Sequence, residues 1–377
     1  MSERRAERLR SARRLVVKVG SSLVADAERR PDERFLRDFA RQIMALRAEG
    51  KEVIVITSGA TRVGLGRLGF PENTTDLPTR QAAAAVGQSD LIAAYRRIFA
   101  ELDQPIGQIL LTQADINDRR RYLHVRNTLS ALLHDYRVVP IVNENDTVSV
   151  EGVRFGENDT LAALVAAKVD ADVLILLSDV AGFFTADPRR DPDAQLIPEI
   201  TDISHELEEQ ATGSGTLAGT GGMRTKLESA RAAINLGLHA IIAQGDQPDV
   251  LLRIARGEPV GTLFIPRESK MQARKRWLGY AVKPRGQLVI DAGAKRALLE
   301  RGSSLLPVGV KAVTGRFDPG DAVSVVDESG HEIARGLANY RSVDVAKILG
   351  CRTGDIETCL GYRTYDEIIH RDNLVVL

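Results

Sequence analysis

The sequence predicts an α/β protein: an open, mainly parallel sheet sandwiched by helices, followed by a small β-barrel-like domain. Three observations carry this. Over the first two thirds, short apolar runs alternate with stretches of helical period. Strands without polar alternation are buried on both faces, and strands separated by helices pair in parallel through right-handed crossovers. After Ile265-Pro266 the pattern shifts to short strands punctuated by Gly, Pro and Asp, the mark of a small β-rich barrel. The chain's 377 residues also exceed one ordinary domain.

The elements follow in order. Residues 1–14 are basic, interrupted by Glu3 and Glu7, and lack the apolar segment of a secretory signal. Residues 14–20 read as a buried strand closing in a glycine turn, and 35–49 as a helix stopped by Gly50. A strand at 53–57 runs into Ser58-Gly59-Ala60 and a further helical stretch. An alanine-rich helix is expected at 79–101, a strand at 109–111, a helix at 119–134 and a strand at 138–142. Helix 159–169, strand 172–177, helix 226–236 and strand 239–243 complete a catalytic-sized domain over 1–266. Residues 267–284, rich in Lys and Arg, read as a linker ending at Pro284. The second domain spans 285–361, with strands at 287–290, 308–313, 322–326 and 332–336, and 362–377 read as a C-terminal tail.

Composition narrows the function. With 44% apolar and 27% charged residues, the chain can bury a core and is not a disordered polymer. Lys plus Arg and Asp plus Glu both number 51, and this neutral balance argues against a dedicated nucleic-acid binder. Cys351 and Cys359 fit no zinc spacing and build no disulfide framework, so they are expected as free thiols in a reducing cytoplasm. No apolar run is long enough to span a membrane.

In an open parallel sheet, ligands bind beyond the carboxyl ends of the strands. Small and polar residues gather there: Lys18 to Ser22, Thr57 to Ala60, Asn143 to Thr147 and Ser178 to Gly182. Lys18 inside an apolar strand points to an anionic partner, or to a stem packed at the strand end with its head in water. Ser58-Gly59 at a strand-to-helix turn suits a phosphate or carboxylate, or is an ordinary helix cap. Asn143 to Asp146 and Gly156 to Asp159 are two acidic, amide-rich clusters. They can grip an ammonium group, position a lysine or hold a metal, or form Asx turns. The glycine-rich stretch 212–222 leads into a helix beginning near Met223 and carrying Lys226. It can fold over nucleotide phosphates or serve as a linker, and it is neither a P-loop nor a dinucleotide fingerprint. The six histidines form no ligand-spaced pair, which favours chemistry without a histidine base. Phosphoryl transfer to a carboxylate qualifies, because that nucleophile is already ionised at neutral pH.

Together these segments resemble the amino-acid kinase family. The strings are VVKVGSSLV, VITSGATRVG, PIVNENDTV, FGENDTLAALVA, LLSDVAGFFTADPR and GTGGMRTK, in the family's order across residues 14–266. GQLVIDAGAKRALLERGSSLLPVGV, GDAVSV and ARGLANY resemble the PUA domain. The resemblance implies transfer of the γ-phosphoryl group of ATP to the side-chain carboxylate of L-glutamate, giving L-glutamyl 5-phosphate, the first step of proline synthesis. It implies Lys18 and Lys226 as catalytic cations oriented by Asp159. It implies Ser58, Asp146, Asn158 and Asn143 as glutamate-binding residues. The nucleotide would meet Lys18, Ser178, Asp179, Thr220, Gly221, Gly222, Met223, Arg224, Thr225 and Lys226. Mg²⁺ would accompany ATP, held by phosphates and water and not by a protein metal site. The resemblance further implies a homo-oligomer, feedback inhibition by proline and a downstream glutamyl phosphate reductase. Two departures stand out: Ser178 occupies a position where threonine is common, and Thr61-Arg62 follows where small apolar residues are common. The competing readings are another acid kinase of acetylglutamate type and an RNA-binding protein acting through the PUA domain. Residues 281–360 carry eleven Lys/Arg against ten Asp/Glu, too even for the basic footprint that RNA requires.

Overall fold

Two faces of one strand decide the architecture of the N-terminal region. In the computed structural model, which describes residues 3–149, 157–186, 188, 191, 193–203, 207, 223–267 and 284–377, β1 (Arg14–Val19) lies at the heart of a sheet. Side chains alternate across a strand, so Leu15, Val17 and Val19 join one core and Val16 the other. The first core is covered by α3 (Glu33–Ala48) and α5 (Leu77–Ala100) through Phe39, Ile43, Tyr95 and Phe99. The second is covered by α8 (Glu157–Lys168) and the helix Met223–Asn235, here α9, through Leu161, Val165, Leu227 and Ala230. Asp32 and Asp76 cap α3 and α5, accepting from the backbone N–H of Phe35 and Thr79.

The remaining elements of the N-terminal region are α1 (Glu3–Ser11), α2 (Ser21–Val24), β2 (Glu52–Ile56), α4 (Ala60–Leu68), β3 (Ile106–Leu111), α6 (Gln113–Asn117), α7 (Arg119–His134), β4 (Val139–Glu144), β5 (Val173–Ser178), β6 (Glu199–Ile200), β7 (His239–Gln244), α10 (Val250–Ala255) and β8 (Thr262–Phe264). The strand order is β3-β4-β2-β1-β5-β7-β8-β6. Neighbours are parallel except β7 and β8, which run antiparallel. The expected mainly parallel sheet between helices is therefore present. Several pieces differ from the sequence reading. β3 begins three residues earlier than expected, because its start carries Gly107, half-buried, and Gln108, exposed, on an edge strand. α5 begins at Leu77, where Asp76 caps it and Pro78 occupies the first turn. α1 had no predicted element. Its Arg5 is buried and donates to the carbonyls of Pro198 and Val260, 2.7 Å each.

The chain divides into two compact units, Met1–Asn117 with His124–Lys270, and Asp118–Leu123 with Met271–Leu377. Of the predicted linker, residues 268–283 lie outside the described residues. The second unit holds a separate sheet of β9 (Gly286–Ile290), β10 (Val310–Gly315), β11 (Ala322–Asp327), β12 (Glu332–Leu337) and β13 (Leu374–Val376), ordered β10-β9-β11-β12-β13. Only β9 and β11 pair in parallel. α11 (Ala292–Arg301) is capped by Asp291 and ends in the left-handed Gly302. The segment read as a tail is not one: Ile368 and Ile369 are fully buried, and β13 pairs with β12. Cys351 and Cys359 are free thiols whose sulfurs lie 3.4 Å apart.

Candidate active site

The same alternation that splits the core sends Lys18 to the face of Val16, toward α8 and α9. Its Nζ lies 2.5 Å from Oδ1 of Asp159, a fully buried carboxylate in the first turn of α8. Thr225 in the first turn of α9 donates to the other oxygen, Oδ2, at 3.4 Å. Lys226 follows it, also buried. Burial pushes the Asp159 carboxyl up, but the charges of Lys18 and then Lys226 prevail and hold it below the usual carboxylate range. Burial pulls the Lys226 ammonium down, and Lys18 adds to this, while Asp159 and Asp179 oppose it. Two ammonium groups thus share one interior carboxylate. With Asp179 also acting on Lys226, these charges lie close together at low dielectric.

Strand register brings the other polar ends alongside. Lys18 pairs with Ile56 of β2 and Leu176 of β5, and Ile56 pairs with Val142 of β4. Ser58, Asn143 and Ser178 therefore emerge one or two residues further along, at the carboxyl edge. Ser58 Oγ donates to the carbonyl of Val19 at 2.7 Å, tying the β2–α4 turn to the end of β1. Gly59 takes a left-handed φ of +91° there, which a side chain would strain. Gly20 N–H donates to the Leu177 carbonyl at 3.0 Å, so the turn after β1 rests directly on β5. Ser178 Oγ donates to Asp179 Oδ1 and accepts from Val180 N–H, each at 3.2 Å. Asn143 is buried, and its Nδ2 donates to Gln88 Oε1 at 2.7 Å. Asn158 Nδ2 donates to Asn143 Oδ1 at 3.4 Å. Asp146 sits partly buried beyond β4. Burial, and then repulsion from Glu144, push its carboxyl up to about 7 against the pull of Arg80.

The structure thus joins Lys18, Asp159, Thr225 and Lys226 in one cluster, with Asp179 in electrostatic reach, and Asn143 with Asn158 in another. Thr220, Gly221 and Gly222 lie outside the described residues. Met223 packs against the core, and Arg224 is exposed and pairs with Glu228 along α9, so neither joins the buried cluster. Gln88 was missed by sequence reasoning, since one glutamine in an alanine-rich helix carries no motif. Among the described residues no three His, Cys, Asp or Glu side chains converge to hold a metal ion.

A strand lysine, Lys18, meets an aspartate and a second lysine carried on two helices beyond the carboxyl edge of the sheet, and comparison with known proteins gives the class of enzyme. The amino acid kinase family matches residues 13–244, and the PUA domain matches residues 286–360. The chain belongs to the amino acid kinase family. Among its relatives along nearly the full chain are glutamate 5-kinases. The one from Moorella thermoacetica is 50% identical over 373 residues, 98% of this chain and 97% of that protein. The one from Azoarcus sp. is 50% identical over 370 residues, 98% and 99% of the two chains. The one from Caldanaerobacter subterraneus is 48% identical over 364 residues, 97% and 98%. Among solved structures, UMP kinase from Bacillus anthracis matches with a TM-score of 0.46 at 17% identity, over 68% of this chain and 97% of that one.

Proposed function

We propose that this chain phosphorylates the side-chain carboxylate of L-glutamate with ATP, producing ADP and L-glutamyl 5-phosphate, the first step of proline biosynthesis. The observation that carries the reading is the buried Lys18–Asp159–Lys226 cluster. A carboxylate oxygen of glutamate forms the new bond to the γ-phosphorus while the bond to the β–γ bridging oxygen breaks and leaves with ADP. The nucleophile is already an anion, so no base is needed, and positioning with charge stabilisation suffices. Lys18 and Lys226 offset the charge spreading over the transferring oxygens, and Asp159 holds both ammonium groups toward them. Ser178, Asp179 and the segment from Thr220 to Lys226 meet the nucleotide. Mg²⁺, held by the phosphates, would accompany ATP and offset their charge.

Ser58, Asn143, Asp146 and Asn158 receive glutamate, with Asp146 opposite the ammonium group. This last role favours free glutamate over acetylglutamate, whose amide nitrogen carries no charge. A cytoplasmic homo-oligomer, feedback by proline and hand-over of the labile acyl phosphate to a reductase belong to the same proposal. The test is ATP-dependent hydroxamate formation with glutamate, acetylglutamate and aspartate side by side. Glutamate should dominate; equal or higher turnover with acetylglutamate would overturn the substrate.

A further inference from the structure

We infer that Gln88 is a positioning residue that sets which end of the Asn158 amide meets the substrate. The inference rests on the reading that Asn158 binds glutamate. A side-chain amide has one donor end and one acceptor end, and its orientation follows its partners. Gln88, on α5, presents its carbonyl Oε1 to Asn143 Nδ2 at 2.7 Å. That fixes the Asn143 amide with its Oδ1 pointing away, where it accepts from Asn158 Nδ2 at 3.4 Å. The Asn158 amide is thereby turned so that its own Oδ1 is the free end. This oxygen is buried and has no hydrogen-bond partner among the described residues. A buried acceptor left unpaired is unfavourable, so the site is built for a ligand that brings an N–H donor.

The γ-carboxylate of glutamate and the phosphates of ATP bring only acceptors, whereas the α-ammonium group brings three N–H donors. The relay Gln88–Asn143–Asn158 therefore selects an amine-bearing diacid, and does so from a helix that carries none of the sequence motifs. Asp146 supplies the charge for the same group, and the relay supplies a directed neutral acceptor. If the Asn143 amide were free to rotate, Asn158 could present its NH₂ instead, and the preference for an amine would weaken.

The test compares L-glutamate with glutarate, the same diacid without the amine, in the full-length enzyme. Turnover of glutamate by the wild type checks the underlying reading separately. Gln88→Met keeps the length of the side chain and removes the carbonyl, and Gln88→Ala serves if that variant does not fold. The kcat/KM ratio of glutamate over glutarate should fall at least about fivefold, the loss of one hydrogen bond. The fall should appear in the glutamate KM, with the ATP KM within about twofold of wild type. Gln88→Glu keeps an acceptor for Asn143 and should restore the ratio. An unchanged ratio in Gln88→Met, an equal rise in the ATP KM, or a Gln88→Glu enzyme that behaves like Gln88→Met would each overturn the inference.

Discussion

At the scale of single residues, the site sets two charged groups against their surroundings in opposite directions. Asp159 is kept ionised by Lys18 and Lys226 in spite of burial, whereas Asp146 is pushed up to about 7 by burial and by Glu144. Only ionised Asp146 can pair with an ammonium group. Glutamate binding should therefore weaken as pH falls through 7, with KM rising up to about tenfold per unit and levelling off above it. Asp146→Asn should raise the glutamate KM far more than the ATP KM and abolish this dependence; steady-state kinetics from pH 6 to 8.5 decide. Stability has the opposite sign. A carboxyl whose folded pKa is raised favours the fold in its neutral form, and that contribution is lost as pH rises through 7. Asp146→Asn should accordingly melt higher than wild type at pH 8 in the absence of substrate, with the difference vanishing near pH 4. Lys226→Ala should lower kcat by at least about 10², measured at saturating ATP and glutamate. Lys18 was legible in the sequence because an ammonium group inside an apolar strand needs a reason to be there, and Lys226 because it follows a glycine-rich stretch at a helix start. Gln88 was not, because its role arises from a contact between α5 and β4, 55 positions apart, that no local pattern encodes.

At the scale of elements, α4 and α5 cross with their backbones in contact. A Cβ on Gly64 would fall 1.7 Å from the Ala83 carbonyl oxygen, and one on Gly87 1.9 Å from that of Ala60. The crossing joins the helix that starts at the Ser58-Gly59 turn to the helix that carries Gln88, so its closeness helps set the site. Gly64→Ala should cost at least about 2–3 kcal/mol, since backbone atoms cannot step aside as a side chain can. Gly50→Ala is the control. That residue has φ +81° with open space around it, so only backbone strain is paid, about 1 kcal/mol. Urea unfolding of both variants checks the contrast, and equal losses would mean the crossing is not tight. The long apolar strands and capped helices were readable from period and cap chemistry. The crossing glycines looked like ordinary members of helical stretches. β8, three residues long, and β13, paired to β12 near the chain end, were too short to show a period. They exist because tertiary partners supply what local sequence does not.

At the scale of the whole molecule, every described residue assigned a role in the reaction lies in the unit built on the eight-stranded sheet, and the second unit contributes none. Its composition bears on what it can contact. Nucleic-acid affinity comes largely from cations replacing the counterions of phosphates, and log affinity falls with log salt in proportion to the contacts made. Residues 281–360 carry eleven Lys/Arg and ten Asp/Glu, and the whole chain is balanced at 51 of each. Several of those cations are also already engaged: Lys295 with Asp327, Arg335 with Glu332 and Arg341 with Asp344. Opening such pairs to reach a phosphate backbone would give up one charge contact for another, with little net gain. Residues 267–285 are a basic stretch that follows the first unit's last strand in the sequence. Filter binding of a structured RNA by the full-length protein, titrated with KCl from 50 to 200 mM, should therefore show no salt-sensitive retention. A protein using six or more cations on phosphates would instead lose about 10³-fold in affinity over that range. A steep slope of that kind would place an RNA role in the second unit beside the kinase chemistry of the first.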